Sequence, residues 1–164
     1  MRPTETYLEY TDLSVKINIK IFQQLLADEL VLYAKTLGAS SRVITNKDDS
    51  ITFFHDKIRM IEKALYIINN QIRKLNFNSQ GTLKNRLQNA NLNEFDTKSS
   101  DSEYFIRNLL DDHQLIIESI RKYLKDDFIY LNSNDSLNLI AEVLQLHIEM
   151  TWLLRDLLIK INYS

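Results

Sequence analysis

From Ser50 onward the apolar residues Ile51, Phe54, Ile58, Ile61, Leu65, Ile68, Ile72 and Leu75 follow one another in alternating steps of three and four, which draws one continuous stripe along a helix. The same rhythm returns in Ile106, Leu109, His113, Ile117, Ile120 and Leu124, and again in Leu137, Ile140, Leu144, His147, Thr151, Leu154, Leu158 and Ile161. Each stripe predicts a helix with one buried face and requires a partner stripe. The spacing of Ser100 and Glu103 matches a capping box, so the third long helix is predicted to begin there, and Asp135 or Ser136 is predicted to cap the last. The stretch from Val15 to Ile21 alternates with period two and reads locally as a strand. Phe22, Leu25, Leu26, Leu32 and Tyr33 resume helical spacing with no turn signal between, so helix is predicted there too, ending near Gly38.

The links refine this reading. Ala39 to Asp49 is a polar connection between the first two helices, and a short polar turn around Asn132 to Asn134 joins the last two. Asn76 to Ser100 is too long to run without structure of its own. Within it Thr82 precedes Leu83 and Leu87, which predicts a short helix inside the segment Gly81 to Ala90. The expected fold is all-α: a single domain over residues 1 to 164, built as a four-helix bundle whose second and third helices are joined by a long crossover carrying a small helix.

Composition removes most other classes. Two glycines and one proline in 164 residues cannot build the tight hairpins of an all-β fold or a glycine-rich phosphate loop. The absence of cysteine removes disulfides, thiolate zinc sites, iron–sulfur clusters and cysteine nucleophiles. A net charge of −2 is too balanced for a surface built to neutralise nucleic-acid phosphates. No stretch approaches about 18 uninterrupted apolar residues and no signal-like apolar run opens the chain, so no membrane partner is expected and a cytoplasmic location is.

Several strings resemble the Dps-like branch of the ferritin superfamily, whose long crossover this connectivity shares. Leu26 to Thr36 (LADELVLYAKT) is similar to that family's first helix, Gly81-Thr82-Leu83 to the start of its crossover helix, Leu109 to Gln114 (LLDDHQ) to its third, and Leu146 to Arg155 (LHIEMTWLLR) to its fourth. The resemblance implies a hollow homo-oligomeric shell, a dodecamer, of the iron-storage and stress-protection type. It also implies ferroxidase activity, the oxidation of Fe(II) between two subunits. The family's ligands to iron are a histidine at the end of the first helix, a histidine and an acid early in the second, and two acids one turn apart further along. These positions fall here on Ser40, Ile51, His55, Tyr66 and Asn70.

Only His55 in that set is a good donor for a hard cation. The second helix also carries Lys57, Arg59, Lys63, Arg73 and Lys74 against Asp56 and Glu62, which would not draw iron to it. Where the resemblance places an acid at an entry pore stands Asn138, with Asp135 as the nearby stand-in. The usual centre is therefore expected to be degenerate, with iron a weak candidate ligand and enzymatic activity disfavoured.

His55 and Asp56 are the remaining metal candidates, although adjacent helix residues point about 100° apart and seldom converge on one ion. His113 and His147 lie on apolar stripes, and the residues three before them are Leu110 and Leu144, whereas dimetal bundles use Glu-x-x-His. They are read as core histidines, with Glu29 the expected partner for one of them. Trp152 and the tyrosines are read as packing groups. The N-terminal stretch sets Arg2 against Glu5, Glu9 and Asp12, so DNA binding through a basic tail is not expected. A hydrolytic arrangement of Ser40, Ser41 and His55 lacks a positioned acid. The alternative class is a non-catalytic scaffold that binds DNA or protein through the same fold.

Overall fold

The computed structural model describes residues 3–43, 47–75, 82–95, 101–131 and 134–162, and for 3–11, 47–51 and 134 the backbone only. All regular structure among them is helical: α1 Pro3–Ser40, α2 Lys47–Lys74, α3 Leu83–Leu87, α4 Ser102–Asp126 and α5 Asn134–Asn162. Around the bundle the order is α1, α2, α5, α4 and back to α1, with the short α3 laid against α1. Helices α1 and α5 therefore face each other across one diagonal, and α2 and α4 across the other.

The stripes become the core. Phe54, Ile61, Ile68 and Ile72 of α2, Ile106, Leu109, Ile116 and Ile120 of α4, and Ile140, Met150 and Leu154 of α5 are buried around Phe22, Leu25 and Leu32 of α1. The hydrophobic faces are wider than the first-read stripes, taking in Phe105, Val143 and Leu157 as well.

Several boundaries differ from the sequence reading. Helix α1 runs from Pro3 through the period-two segment and on to Ser40, with proline at the first helical position, where its missing N–H costs nothing. The alternation arose because the inward residue between Ile17 and Ile19 is polar. Asn18 is buried and its Nδ2 donates to the carbonyls of Ser14 and Tyr130, both at 2.7 Å, while the Ser14 hydroxyl donates to the same Tyr130 carbonyl at 2.5 Å. These bonds tie α1 to the turn that leaves α4. The observed cap of α4 is Asp101, whose Oδ1 accepts from the Glu103 N–H at 3.0 Å, and Glu103 turns instead to Arg107. The predicted cap at Ser100 lies outside the described residues. Helix α5 already includes both of its predicted caps. Asp135 instead pairs with Lys74 at 3.7 Å, and the buried Ser136 accepts from Gln71 at 3.0 Å.

The crossover helix forms as predicted, with Thr82 accepting from the Asn85 N–H, although it spans only Leu83–Leu87. The chain after it is irregular and held by side chains of α1. Asp28 Oδ1 accepts from the N–H groups of Asn91 and Leu92 at 2.6 and 3.1 Å, Lys35 donates to the Asn93 carbonyl at 2.9 Å, and Gln24 donates to that of Asn89. Backbone groups that no ladder satisfies must find partners elsewhere. Here α1 supplies them from side chains spaced along one face.

Replacing Asn18 with Ala should lower stability by about 1–2 kcal/mol, the typical effect of deleting one partner of buried hydrogen bonds. Urea unfolding followed by circular dichroism measures it. An unchanged midpoint would show that Ser14 alone holds the Tyr130 carbonyl.

Candidate functional site

Inside the bundle Glu29 of α1, His113 of α4 and His147 of α5 come together, all buried, and Lys57 of α2 is buried as well. Glu29 and His147 are fully buried and meet across the α1–α5 diagonal, with Glu29 Oε1 2.6 Å from His147 Nε2. The other ring nitrogen, His147 Nδ1, lies 2.8 Å from His113 Nδ1, with the rings inclined at 52°. Each of these contacts requires one donor and one acceptor. With Glu29 as a carboxylate, which only accepts, Nε2 of His147 is assigned the proton. A neutral His147 then accepts at Nδ1, and His113 donates from its own Nδ1.

Burial holds the His113 imidazole well below its ordinary 6.5, and the neighbouring His147 and Lys57 push in the same direction. Lys57 is itself lowered by burial, against the attraction of Glu149 and Asp56. Its ammonium lies 3.4 Å from Met60 Sδ and 5.4 Å from the centre of the Phe53 ring. A second buried pair lies on the α1–α4 side: Lys35 Nζ and Asp112 Oδ2 at 2.5 Å. Burial raises the Asp112 carboxyl even so, with Lys35 opposing. Lys35 also sits 4.8 Å from the centre of the Phe95 ring, below the crossover it helps to hold.

The core reading of His113 and His147 therefore holds, with Glu29 as the partner of His147. The sequence reading counts Lys57 only among the bases of α2 and does not place it inside, and it names no partner for Lys35 or Asp112. The sequence signal for each is a charge at heptad-like spacing within an apolar face, which marks a position without naming its partner. Lys57 lies between Phe54 and Ile61, and Asp112 beside His113.

The sequence-predicted metal positions fall elsewhere. His55 and Asp56 are 59% and 61% exposed, with Nδ1 and Oδ1 at 3.7 Å. Ser40 donates back to the Leu37 carbonyl at 2.7 Å and Ser41 to that of Gly38 at 2.9 Å, so neither hydroxyl is turned toward His55 as a nucleophile would be. Tyr66 is 69% exposed, and the side chain of Ile51 lies outside the described residues. His55 and Tyr66 are separated along α2 by about 16 Å at about 1.5 Å per residue. Asn70 does meet Asn138 in the lining of a cleft of about 680 Å³ between α2 and α5, beside the Lys74–Asp135 pair. The stand-in acid Asp135 thus already faces a cation. Among the described residues no group of three or more His, Asp or Glu side chains is gathered so as to hold a metal ion.

The basic excess of α2 is also smaller than its sequence suggests. Lys63 pairs with Glu142 of α5 at 2.8 Å, Lys74 pairs with Asp135, and Lys57 is inside. No helix among the described residues is long and apolar enough to cross a membrane.

No protein-family description and no curated protein sequence matches the chain. Its fold, by contrast, has clear counterparts among solved structures. A dodecameric thioferritin, the bacterioferritin-related protein of Bacteroides fragilis, superposes with a TM-score of 0.81 at 15% identity, over 97% of this chain and 95% of its own. Dps from Thermosynechococcus elongatus gives 0.81 at 13% identity over 90% and 94%. The Vibrio cholerae O1 DPS protein, described as one of a broad superfamily of ferritin-like diiron-carboxylate proteins, gives 0.78 at 17% over 89% and 91%. The chain has the ferritin-like four-helix fold that Dps proteins share.

Two pH responses follow. Between the depressed value of His113 and the ordinary 6.5, the unfolded chain binds a proton that the folded chain does not. His113 therefore leaves stability undiminished above 6.5 and lowers it as pH falls below, by at most about 1.4 kcal/mol per pH unit. Urea midpoints between pH 5 and 7 should show this slope, and His113→Gln should flatten it. Tyr123 is pushed up to about 12, first by burial and then by Asp28 and Asp127. It should keep its proton from pH 10 to near 12, as ultraviolet titration of the native protein against Tyr123→Phe would show. Stability should fall over that interval, because the unfolded phenol ionises first.

Proposed function

We propose that this chain is a subunit of a hollow Dps-like homo-oligomeric shell, a dodecamer of the iron-storage and stress-protection type, lacking the usual inter-subunit ferroxidase centre. The observation that carries the reading is the near full-length superposition on a thioferritin described as dodecameric, over 97% of this chain and 95% of that one. Large apolar side chains left on the surface of the single chain, among them Leu37, Tyr66, Leu83, Phe128, Ile129 and Trp152, are what subunit contacts would cover.

The loss of the inter-subunit centre is argued from donor chemistry. Ser40, Ile51, Tyr66 and Asn70 offer no carboxylate or imidazole, and His55 with Asp56 would be left to hold Fe(II) alone at an exposed surface. In this reading Fe(II) is at most a weakly held substrate. The protein works as a cytoplasmic shell that stores or excludes rather than as an efficient oxidase. DNA association through a basic tail is not part of the proposal.

Light scattering after size exclusion should give a mass about twelve times that of the 19.4 kDa chain. A monomer or dimer would end the shell reading. Aerobic addition of Fe(II) to metal-free protein should give oxidation close to the protein-free rate, unaltered by His55→Ala. Rapid oxidation abolished by that substitution would reveal a rearranged centre in place of a lost one.

A further inference from the structure

A partly enclosed cavity of about 340 Å³ lies between α1 and α4, away from the Glu29 cluster, with Asn91 of the crossover at its side. Two helix faces build it. Ile17, Ile21 and Gln24 follow one another along α1 at offsets of four and three, and Lys20 stands on the same face. From α4 come Ser119, Lys122, Tyr123 and Asp127. The crossover side is fixed to α1, because Asp28 Oδ1 accepts from the Asn91 N–H at 2.6 Å and Gln24 donates to the Asn89 carbonyl.

The polar groups around this cavity are left unused by the fold. Lys20 and Lys122 bring one ammonium from each helix, and neither forms an ion pair among the described residues. Lys16, one turn before Lys20, is by contrast held by Asp12 at 2.6 Å. The half-buried Tyr123 hydroxyl has no hydrogen-bond partner among the described residues, and burial pushes its phenol up to about 12, so it keeps a proton to donate. Ser119 adds a second hydroxyl, and Asp127 is the single carboxylate. Two ammonium groups against one carboxylate leave a net positive charge, which calls for an anion.

The kind of anion follows from the donors. No guanidinium lines the cavity, so the planar fork that matches a carboxylate is missing, whereas ammonium and hydroxyl donors reaching in from two helices suit a tetrahedral phosphate. Asp127 disfavours a second anionic group and accepts from a hydroxyl instead. Ile17 and Ile21 offer apolar surface to a short carbon body. We propose that this cavity binds a small phosphate monoester of a hydroxylated carbon chain, its phosphate between Lys20 and Lys122 and hydrogen-bonded by Tyr123, its hydroxyls toward Asp127 and Asn91. The site uses one chain and stands whether or not a shell assembles.

Calorimetric titration of the full-length protein with glycerol 3-phosphate in low-salt buffer should show one saturable site per chain. Lys20→Gln and Lys122→Gln should each weaken binding about fivefold or more, and Tyr123→Phe, which keeps the ring, about threefold. Lys16→Gln, on the same helix but outside the cavity, should leave the affinity unchanged. Inorganic phosphate should bind more weakly than the ester, and glycerol should not bind. Absence of saturable binding, or equal weakening by Lys16→Gln as unspecific charge attraction would give, overturns the proposal. Inorganic phosphate binding as tightly as glycerol 3-phosphate overturns the assignment of an ester. Should Tyr123→Phe fail to fold, the exposed Lys20 and Lys122 variants, checked by circular dichroism, decide by themselves.

Discussion

A carboxylate sealed from water must be compensated within hydrogen-bond reach, and in this protein that requirement shapes the middle of the bundle. Glu29 has no exposed surface, so His147 must come to it from the opposite helix, and His147 in turn fixes His113 on the helix between. Three helices are set in rotation and height by two hydrogen bonds. The aliphatic layers above and below could be repacked with modest loss, since apolar contacts tolerate exchange of shape when volume is kept. The polar layer has no such latitude, because moving any member by a turn would leave a buried donor or acceptor without a partner.

A second set of polar contacts does comparable work at the edge of the bundle. Asp28, Gln24 and Lys35 all lie on α1 and all reach the backbone of residues 89–93, an irregular stretch of the crossover. Lys35 also meets Asp112 of α4, so it joins the crossover to a buried ion pair between α1 and α4. The crossover is therefore attached to the same helix that carries the central carboxylate. Holding it against α1 lets α2 and α4 lie on a diagonal rather than side by side.

These features separate the two places where a ferritin-like fold can hold metal. At the five positions that would lie between subunits stand Ser40, Ile51, His55, Tyr66 and Asn70, of which only His55 is a good metal donor, while inside the bundle Glu29, His147 and His113 are turned on one another. The same sequence property underlies both: carboxylates are scarce on the faces where a cation would need them, and Lys57 stands on the inner face of α2. The bundle is held by its buried apolar stripes and by the Glu29–His147–His113 contacts, with Glu29 Oε2 buried and without a hydrogen-bond partner among the described residues.

The amino-acid sequence alone determined the helices, their number, the all-α class and the presence of a small helix in the crossover, because three-and-four spacing of apolar residues is a local property that survives without knowledge of partners. It also carried the core placement of His113 and His147 and the shortage of donors at Ser40, Ile51, Tyr66 and Asn70, since a residue type states its own chemistry. Tertiary structure alone decided what depends on distance between helices. It placed Lys57 inside although its type argues for the surface, brought Lys35 to Asp112, made Asp101 the cap of α4, and turned Asn18 inward within the period-two stretch from Val15 to Ile21, which the sequence already predicts as helix. A charged or polar side chain is buried only where another helix supplies its partner, and nothing in the linear order of residues says which helix that will be.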